Sequence, residues 1–364
     1  MEKPYLSIIY FFRNDDYQID GFKRMETALN NLIIQAKKYN LRAELIIVEW
    51  NPPADRPLLK DVISLPADLG FFTVRFINVP SEIHKTYKCS EKIKIITTAA
   101  LNVGIRRARG EFILTTNSDI LFSNELIAFL ASEKLLKDRF YRTFRYDVHK
   151  DVLKYSSLEE ILDFCQKNII QTFRENQESP HGLANYPVLQ TACGVDFVLF
   201  SKEHWHLING YPELDNLGLA SGELVCYMAY LSGLKQEILD DPMRIYHIDH
   251  QSRWRSLHRD KSFDFVKGKI SHLNYNNKLR KLLRKIYVFK TKAFKFFVDI
   301  FYSLFGSFLK KHSSADKWDF NISYIEFKQR QTLRQMLKGK RSYILNNNNW
   351  GFPKENFKEY ETNK

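Results

Sequence analysis

Along the first 120 positions, apolar residues occur in short runs separated by helical stripes. Residues 6–12 (Leu-Ser-Ile-Ile-Tyr-Phe-Phe), 44–48, 73–79 and 111–116 are strand-length and largely apolar on successive positions. That is the pattern of strands buried on both faces of a sheet. After the first run and its loop 13–17, Phe22, Met25, Leu29, Leu32, Ile33 and Ala36 share one face of a helix, with charges opposite. Ala99, Asn102, Ile105 and Ala108 repeat the helical spacing; Arg106, Arg107 and Arg109 lie in the last turn, where cations suit the helix dipole. Gly110 stands where a C′ glycine stops a helix. Strands alternating with amphipathic helices predict βαβ units and a mostly parallel sheet flanked by helices.

The middle of the chain is less regular. Residues 124–137 and 158–173 carry helical patterns, and 175–185 form a polar loop. Residues 191–202 read as a strand preceded by a glycine turn, 209–213 (Asn-Gly-Tyr-Pro-Glu) as a turn, 223–231 as a helix and 237–239 as a strand. Tyr246-His247-Ile248-Asp249-His250 follows.

Composition refines this picture mainly through charge. The net charge of +13 is unevenly distributed: residues 1–250 hold 29 Lys+Arg against 33 Asp+Glu, and residues 251–364 hold 26 against 9. A near-neutral α/β body (1–250) is therefore expected to precede a basic, mainly helical appendage (251–364) that meets an anionic surface. Within the appendage, Leu279, Leu282, Ile286, Phe289, Ala293, Phe296, Phe297, Ile300, Leu304 and Phe308 trace a helical stripe among lysines. The stretch free of basic residues, 296–309, is interrupted by Asp299 and is shorter than the roughly 20 residues of a membrane span. A basic amphipathic helix of this kind fits a membrane-surface anchor; packing on the body is the alternative. Four widely spaced cysteines and no secretory signal predict reduced thiols and a cytoplasmic chain, peripheral at the inner face of the plasma membrane.

Candidate chemistry collects at strand ends. Arg13, Glu49 and Asp119 close the first, second and fourth strands. In open α/β sheets ligands bind outside the carboxyl ends of the strands. A carboxylate at such an end holds a divalent cation that carries a phosphate, and Asn117-Ser118-Asp119 is the candidate segment.

Taken together, the pieces resemble a GT-A (Rossmann-like) glycosyltransferase of the glycosyltransferase family 2 type over roughly residues 5–250. The resemblance is carried by 6–12, by Glu44-Leu-Ile-Ile-Val-Glu49, by Asn102-Val-Gly-Ile-Arg-Arg-Ala-Arg-Gly-Glu-Phe-Ile-Leu114, by Asn117-Ser118-Asp119 at the DxD motif, and by Cys193 to Phe200 followed by Asn209-Gly-Tyr-Pro-Glu213. Three departures stand out. Asn117 replaces the first DxD carboxylate, Glu49-Trp-Asn-Pro replaces the usual Asp-Asp-Gly-Ser, and Gly222-Glu223-Leu224 replaces a Glu-Asp pair.

The resemblance implies an inverting transfer of a hexose or N-acetylhexosamine from a UDP-type nucleotide sugar to a glycan or lipid-linked glycan, in cell-surface polysaccharide synthesis. It implies Asp119 as ligand to Mn or Mg, with His247 and His250 completing the metal site. Arg13, Glu49, Asn102, Arg106, Asn117, Ser118 and Asp119 are expected at the donor. Glu223 is the expected general base, with Asp215 in reserve. Asp196, a charge in an apolar run, is the candidate acceptor contact, since buried carboxylates need partners. Two other readings compete. A sugar nucleotidyltransferase needs a Gly-rich basic loop after the first strand, where this chain has Arg13-Asn-Asp-Asp16. A nucleic-acid-binding protein would use the basic tail, whose Phe-rich stripe fits a membrane better; no nucleic acid partner is expected.

Overall fold

The computed structural model describes residues 3–15, 20–87, 90–91, 93–173, 188–213, 221–250 and 318–362. The chain forms two compact units, Met1–His250 with Thr332–Lys364, and Gln251–Gln331. The strands are β1 Leu6–Phe12, β2 Ala43–Trp50, β3 Phe72–Val79, β4 Phe112–Thr115, β5 Ile120–Phe122, β6 Arg139–Val148, β7 Ile169–Phe173, β8 Val198–Ser201, β9 Lys235–Ile248 and β10 Lys358–Glu361. The helices are α1 Gly21–Lys38, α2 Leu59–Val62, α3 Ser81–Lys85, α4 Thr97–Arg107, α5 Asn124–Ala131, α6 Leu158–Lys167, α7 Lys202–Leu207, α8 Ser221–Leu231 and α9 Trp318–Leu337.

Among the described residues, ten strands join one sheet in the order β10-β3-β2-β1-β4-β8-β6-β9-β5, with β7 added on β6. Strands β3, β2, β1 and β4 run parallel, as do β6 and β9. Strand β8 is antiparallel to both β4 and β6 and joins the two parallel blocks. This is the expected α/β sheet flanked by helices. The chain leaves β1 toward β2 on one side and returns to β4 on the other, which makes the carboxyl ends of β1 and β4 a topological switch point.

Alternation along β1 and β2 divides their side chains between two cores. Ile9, Ile46 and Val48 face α4 and α8, while Ile8, Tyr10, Leu45 and Ile47 face α1 and α5. Both faces are covered, which is why these strands read as continuous apolar runs.

Several boundaries differ from expectation. Helix α4 ends at Arg107 with Ala108 already extended, so Gly110 is not its terminator. Gly110 serves a close approach instead: a Cβ there would lie 2.6 Å from the Ser7 backbone nitrogen. The helical pattern of 158–173 splits into α6 and β7, where Ile169-Ile-Gln-Thr-Phe supplies β-branched residues suited to a strand. Strand β9 spans 14 residues, far beyond 237–239. Strand β6 is absent from the periodicity reading because three arginines, Arg139, Arg142 and Arg145, interrupt its apolar run.

The expected appendage 251–364 is also divided. Residues 332–362 rejoin the body, with β10 lying antiparallel on β3. Arg75 bridges this edge, meeting Glu44 at 2.7 Å and Glu359 at 2.7 Å. Arg107 donates to the carbonyls of Gly351, Phe352 and Glu355 at 2.8–2.9 Å. The amphipathic stripe 278–311 lies outside the described residues, among which no helix is long and apolar enough to cross a membrane.

Candidate metal centre

Sheet pairing assembles the site. After β4 the chain crosses through Asn117-Ser118-Asp119 into β5, and β5 pairs with β9 so that Ile120 faces His247. The Ile248 N–H donates to the Asp119 carbonyl at 3.3 Å, which fixes the turn. His250 follows three residues beyond His247. One carboxylate and two imidazoles thereby converge from segments about 130 residues apart.

The ligand-type atoms of Asp119, His247 and His250 all lie within 4.8 Å of one another. Asp119 Oδ2 is 3.3 Å from His250 Nε2 and 3.7 Å from His247 Nε2. Arg24 Nε from α1 reaches the same oxygen at 3.4 Å. Burial alone would raise the Asp119 pKa. The imidazoles and the Arg24 guanidinium outweigh it and hold this carboxyl below the usual carboxylate range. The Tyr10 hydroxyl is fully buried nearby, and its pKa is raised by burial and by the Asp119 charge. Neither this hydroxyl nor His250 Nδ1 has a hydrogen-bond partner among the described residues.

A set of two nitrogens and one oxygen fits a divalent transition ion. Imidazole ligands suit such ions, whereas Mg2+ is held by oxygens.

Behind the ligands lies a charged layer from β6, which sequence reasoning missed. Arg145 Nε contacts Asp147 Oδ1 at 2.7 Å, Nη1 contacts Asp196 Oδ2 at 2.5 Å, and Nη2 lies 2.8 Å from His247 Nδ1. Asp147 and His247 are directly opposed in the parallel β6–β9 register, and Asp147 Oδ1 is 3.2 Å from His247 Nδ1. The available signal was period-two spacing: Arg145 and Asp147 share one face of a strand.

Asp196 is nearly fully buried, and its partners are Arg145 and Asn117, not open space for an acceptor. The Asn117 amide donates to Asp196 Oδ1 at 2.5 Å. An aspartate at position 117 would oppose a second carboxylate.

The remaining sequence-predicted residues divide clearly. Ser118 lies between Asn117 and Asp119 and is almost buried. Arg13 follows β1, pairs with Asp15 and donates to the Asn51 carbonyl at 2.5 Å. Glu49 is buried, and both its oxygens accept from the Leu59 N–H at 3.1 Å. It thereby shapes the loop after β2. Burial pushes its pKa up to about 7.

Asn102 is fully buried, and its amide holds the turn 209–213. It donates to the Tyr211 carbonyl and Glu213 Oε1 and accepts from the Tyr211 N–H, each at 2.8 Å. The Arg106 guanidinium stacks 4.6 Å over the Trp350 ring. In this structure Asn102 thus holds the turn and Arg106 packs on the C-terminal segment.

Glu223 lies in the first turn of α8 and is half-buried. The backbone beside it crosses the 190–197 segment so closely that a Cβ on Gly194 would lie 2.4 Å from the Gly222 Cα. This crossing sets Glu223 next to the segment that carries Asp196. Asp215 lies outside the described residues.

No protein-family model and no curated relative matches the chain. Among solved structures, the chain is similar to S. aureus TarS 1–349, at 15% identity and a TM-score of 0.44, covering 93% of this chain and 88% of that one. The same fragment in complex with UDP gives 14% identity, a TM-score of 0.43 and the same coverage. Against the longer S. aureus TarS structure, at 14% identity and a TM-score of 0.44, the chain spans about half, 54%, of its length.

Proposed function

We propose that the chain is a metal-dependent glycosyltransferase that moves a hexose or N-acetylhexosamine from a UDP-linked donor to a glycan or lipid-linked glycan. The observation that carries this reading is the convergence of Asp119, His247 and His250 at the carboxyl end of β4, beside the switch point where α/β sheets bind nucleotides. The resemblance of 5–250 to GT-A enzymes gives the reaction class. A divalent cation held there supplies positive charge to the diphosphate leaving group.

The chain's own residues prepare this site in three ways. Asp119 is kept ionised by the groups around it. His247 and His250 supply nitrogens from β9 and the residues just after it. Arg24 lends Asp119 further positive charge from α1. Glu223 is the general base of this reading, taking the proton from the acceptor hydroxyl in an inverting displacement.

The basic stripe 278–311 serves as the anchor to an anionic bilayer, holding the enzyme at the inner membrane face beside a lipid-linked acceptor. A sugar nucleotidyltransferase is disfavoured because Arg13 is engaged by Asp15 and Asn51 in a loop without glycine.

A thermal-shift panel of nucleotide sugars with and without Mn2+ tests the donor assignment. The expected result is stabilisation by UDP-sugars that requires Mn2+; stabilisation by none of them rejects it. Anionic liposomes and duplex DNA at equal salt, offered to the full chain and to a variant with the lysines of 278–311 changed to glutamate, test the anchor. Residues 332–364 must be retained in that comparison because they complete the body.

A further inference from the structure

The His247 ring stands between two neighbours that require opposite tautomers. Arg145 Nη2 lies 2.8 Å from Nδ1. A guanidinium only donates, so this contact needs an unprotonated Nδ1 and leaves the proton on Nε2. Asp147 Oδ1 lies 3.2 Å from the same Nδ1. An ionised carboxylate only accepts, so this contact needs the proton on Nδ1 and leaves Nε2 with a free lone pair. Nε2 is the nitrogen that faces Asp119.

We infer that Asp147 is a positioning residue for the metal centre: when Nε2 ligates a cation the ring proton sits on Nδ1, Asp147 accepts it, and the Arg145 Nη2 contact to that nitrogen is given up. This inference rests on the metal site proposed above. Carboxylate partners of this kind fix the ring orientation of ligating histidines.

Asp147 is built for the task. It is completely buried on β6, directly opposite His247 in a parallel ladder, so its carboxylate cannot swing away. Arg145 Nε donates to the same Oδ1 at 2.7 Å, which fixes the acceptor. The other arm of Arg145 is tied to Asp196, whose second oxygen accepts from Asn117. The cation-facing ring and the 190–197 segment therefore share one guanidinium.

The test uses the full-length chain and Mn2+ alone, with free Mn2+ read by electron paramagnetic resonance. Asp147→Ala, which removes the acceptor, is expected to weaken Mn2+ binding by about 10–100-fold while leaving a folded far-UV spectrum. A change under threefold overturns the inference. Absence of Mn2+ binding by the wild type would instead remove the underlying metal reading, so the two failures are distinguishable.

A second measurement does not depend on any variant folding. Nitrogen-15 spectra of the Zn2+-loaded wild type are expected to show His247 bound through Nε2, with the proton on Nδ1. Ligation through Nδ1 would overturn the inference.

Discussion

Glu49 and Asp147 are both buried carboxylates on strands, and their surroundings move them in opposite directions. Glu49 ends β2 in the N-terminal parallel block and meets a backbone N–H. Burial dominates, and its pKa rises to about 7. Asp147 lies inside β6. Burial also acts to raise it, but the hydrogen bond with His247 and the charge of Arg145 prevail, and its pKa falls below the usual carboxylate value. The contrast separates two uses of a buried charge. In the first block a lone carboxylate organises a loop. In the second, paired charges organise a ligand site.

The sharpest way to break this contrast is to remove the cation that the second block shares. Arg145→Met leaves Asp147 and Asp196 buried without their common partner, and removing one member of a buried ion pair costs about 3–5 kcal/mol. Urea unfolding is expected to show a loss of that order. A loss under about 1 kcal/mol would mean that the layer behind the metal ligands contributes little.

Glu49 offers the opposite test. Its folded pKa, about 7, lies above its ordinary value of 4.5. Its contribution to stability is therefore fully present below the unfolded value and is lost as pH rises through about 7. Glu49→Gln removes that dependence. Relative to wild type, the variant is expected to gain about 2–3 kcal/mol between roughly pH 4 and pH 8. Parallel pH–stability curves for the two proteins would contradict the assignment.

The smallest effect concerns Asn117. Asn117→Asp adds the carboxylate that the proposed glycosyltransferase reading expects at this position, yet it sets that group against Asp196. The expected outcome is a loss of about 1–3 kcal/mol from the broken buried hydrogen bond, with no gain in Mn2+ affinity. Tighter Mn2+ binding by this variant would show that the motif spelling matters more than the contact.

The same contrast explains what the sequence disclosed. Strands β1 to β4 were legible because both faces are apolar and the intervening helices are amphipathic. Asp119, His247 and His250 were legible as a group because each follows or ends a strand that pattern or motif had marked. Strand β6 was hidden because Arg142 and Arg145 sit within an apolar run, and their compensation comes from distant partners. Arg142 donates to the carbonyls of Gln190 and Ala192, and Arg145 meets Asp196 and His247.

The contacts of Asn102 and Arg106 were hidden for a related reason. Their helix packs against residues 209–213 and 350, which lie far along the chain, and local spacing carries no trace of that. Residues 332–362 likewise looked like part of a basic tail, although β10 completes the sheet edge.

The central claim is that Asp119 anchors a cation on which sugar transfer depends. The direct measurement is Mn2+-dependent release of UDP from UDP-linked hexose and N-acetylhexosamine donors, comparing the wild type with Asp119→Ala. The account predicts turnover by the wild type that is abolished by chelation. It predicts a loss on the order of 10³-fold in the variant, the scale set by several kcal/mol of charge stabilisation. Mn2+-dependent turnover by Asp119→Ala at the wild-type rate would contradict it.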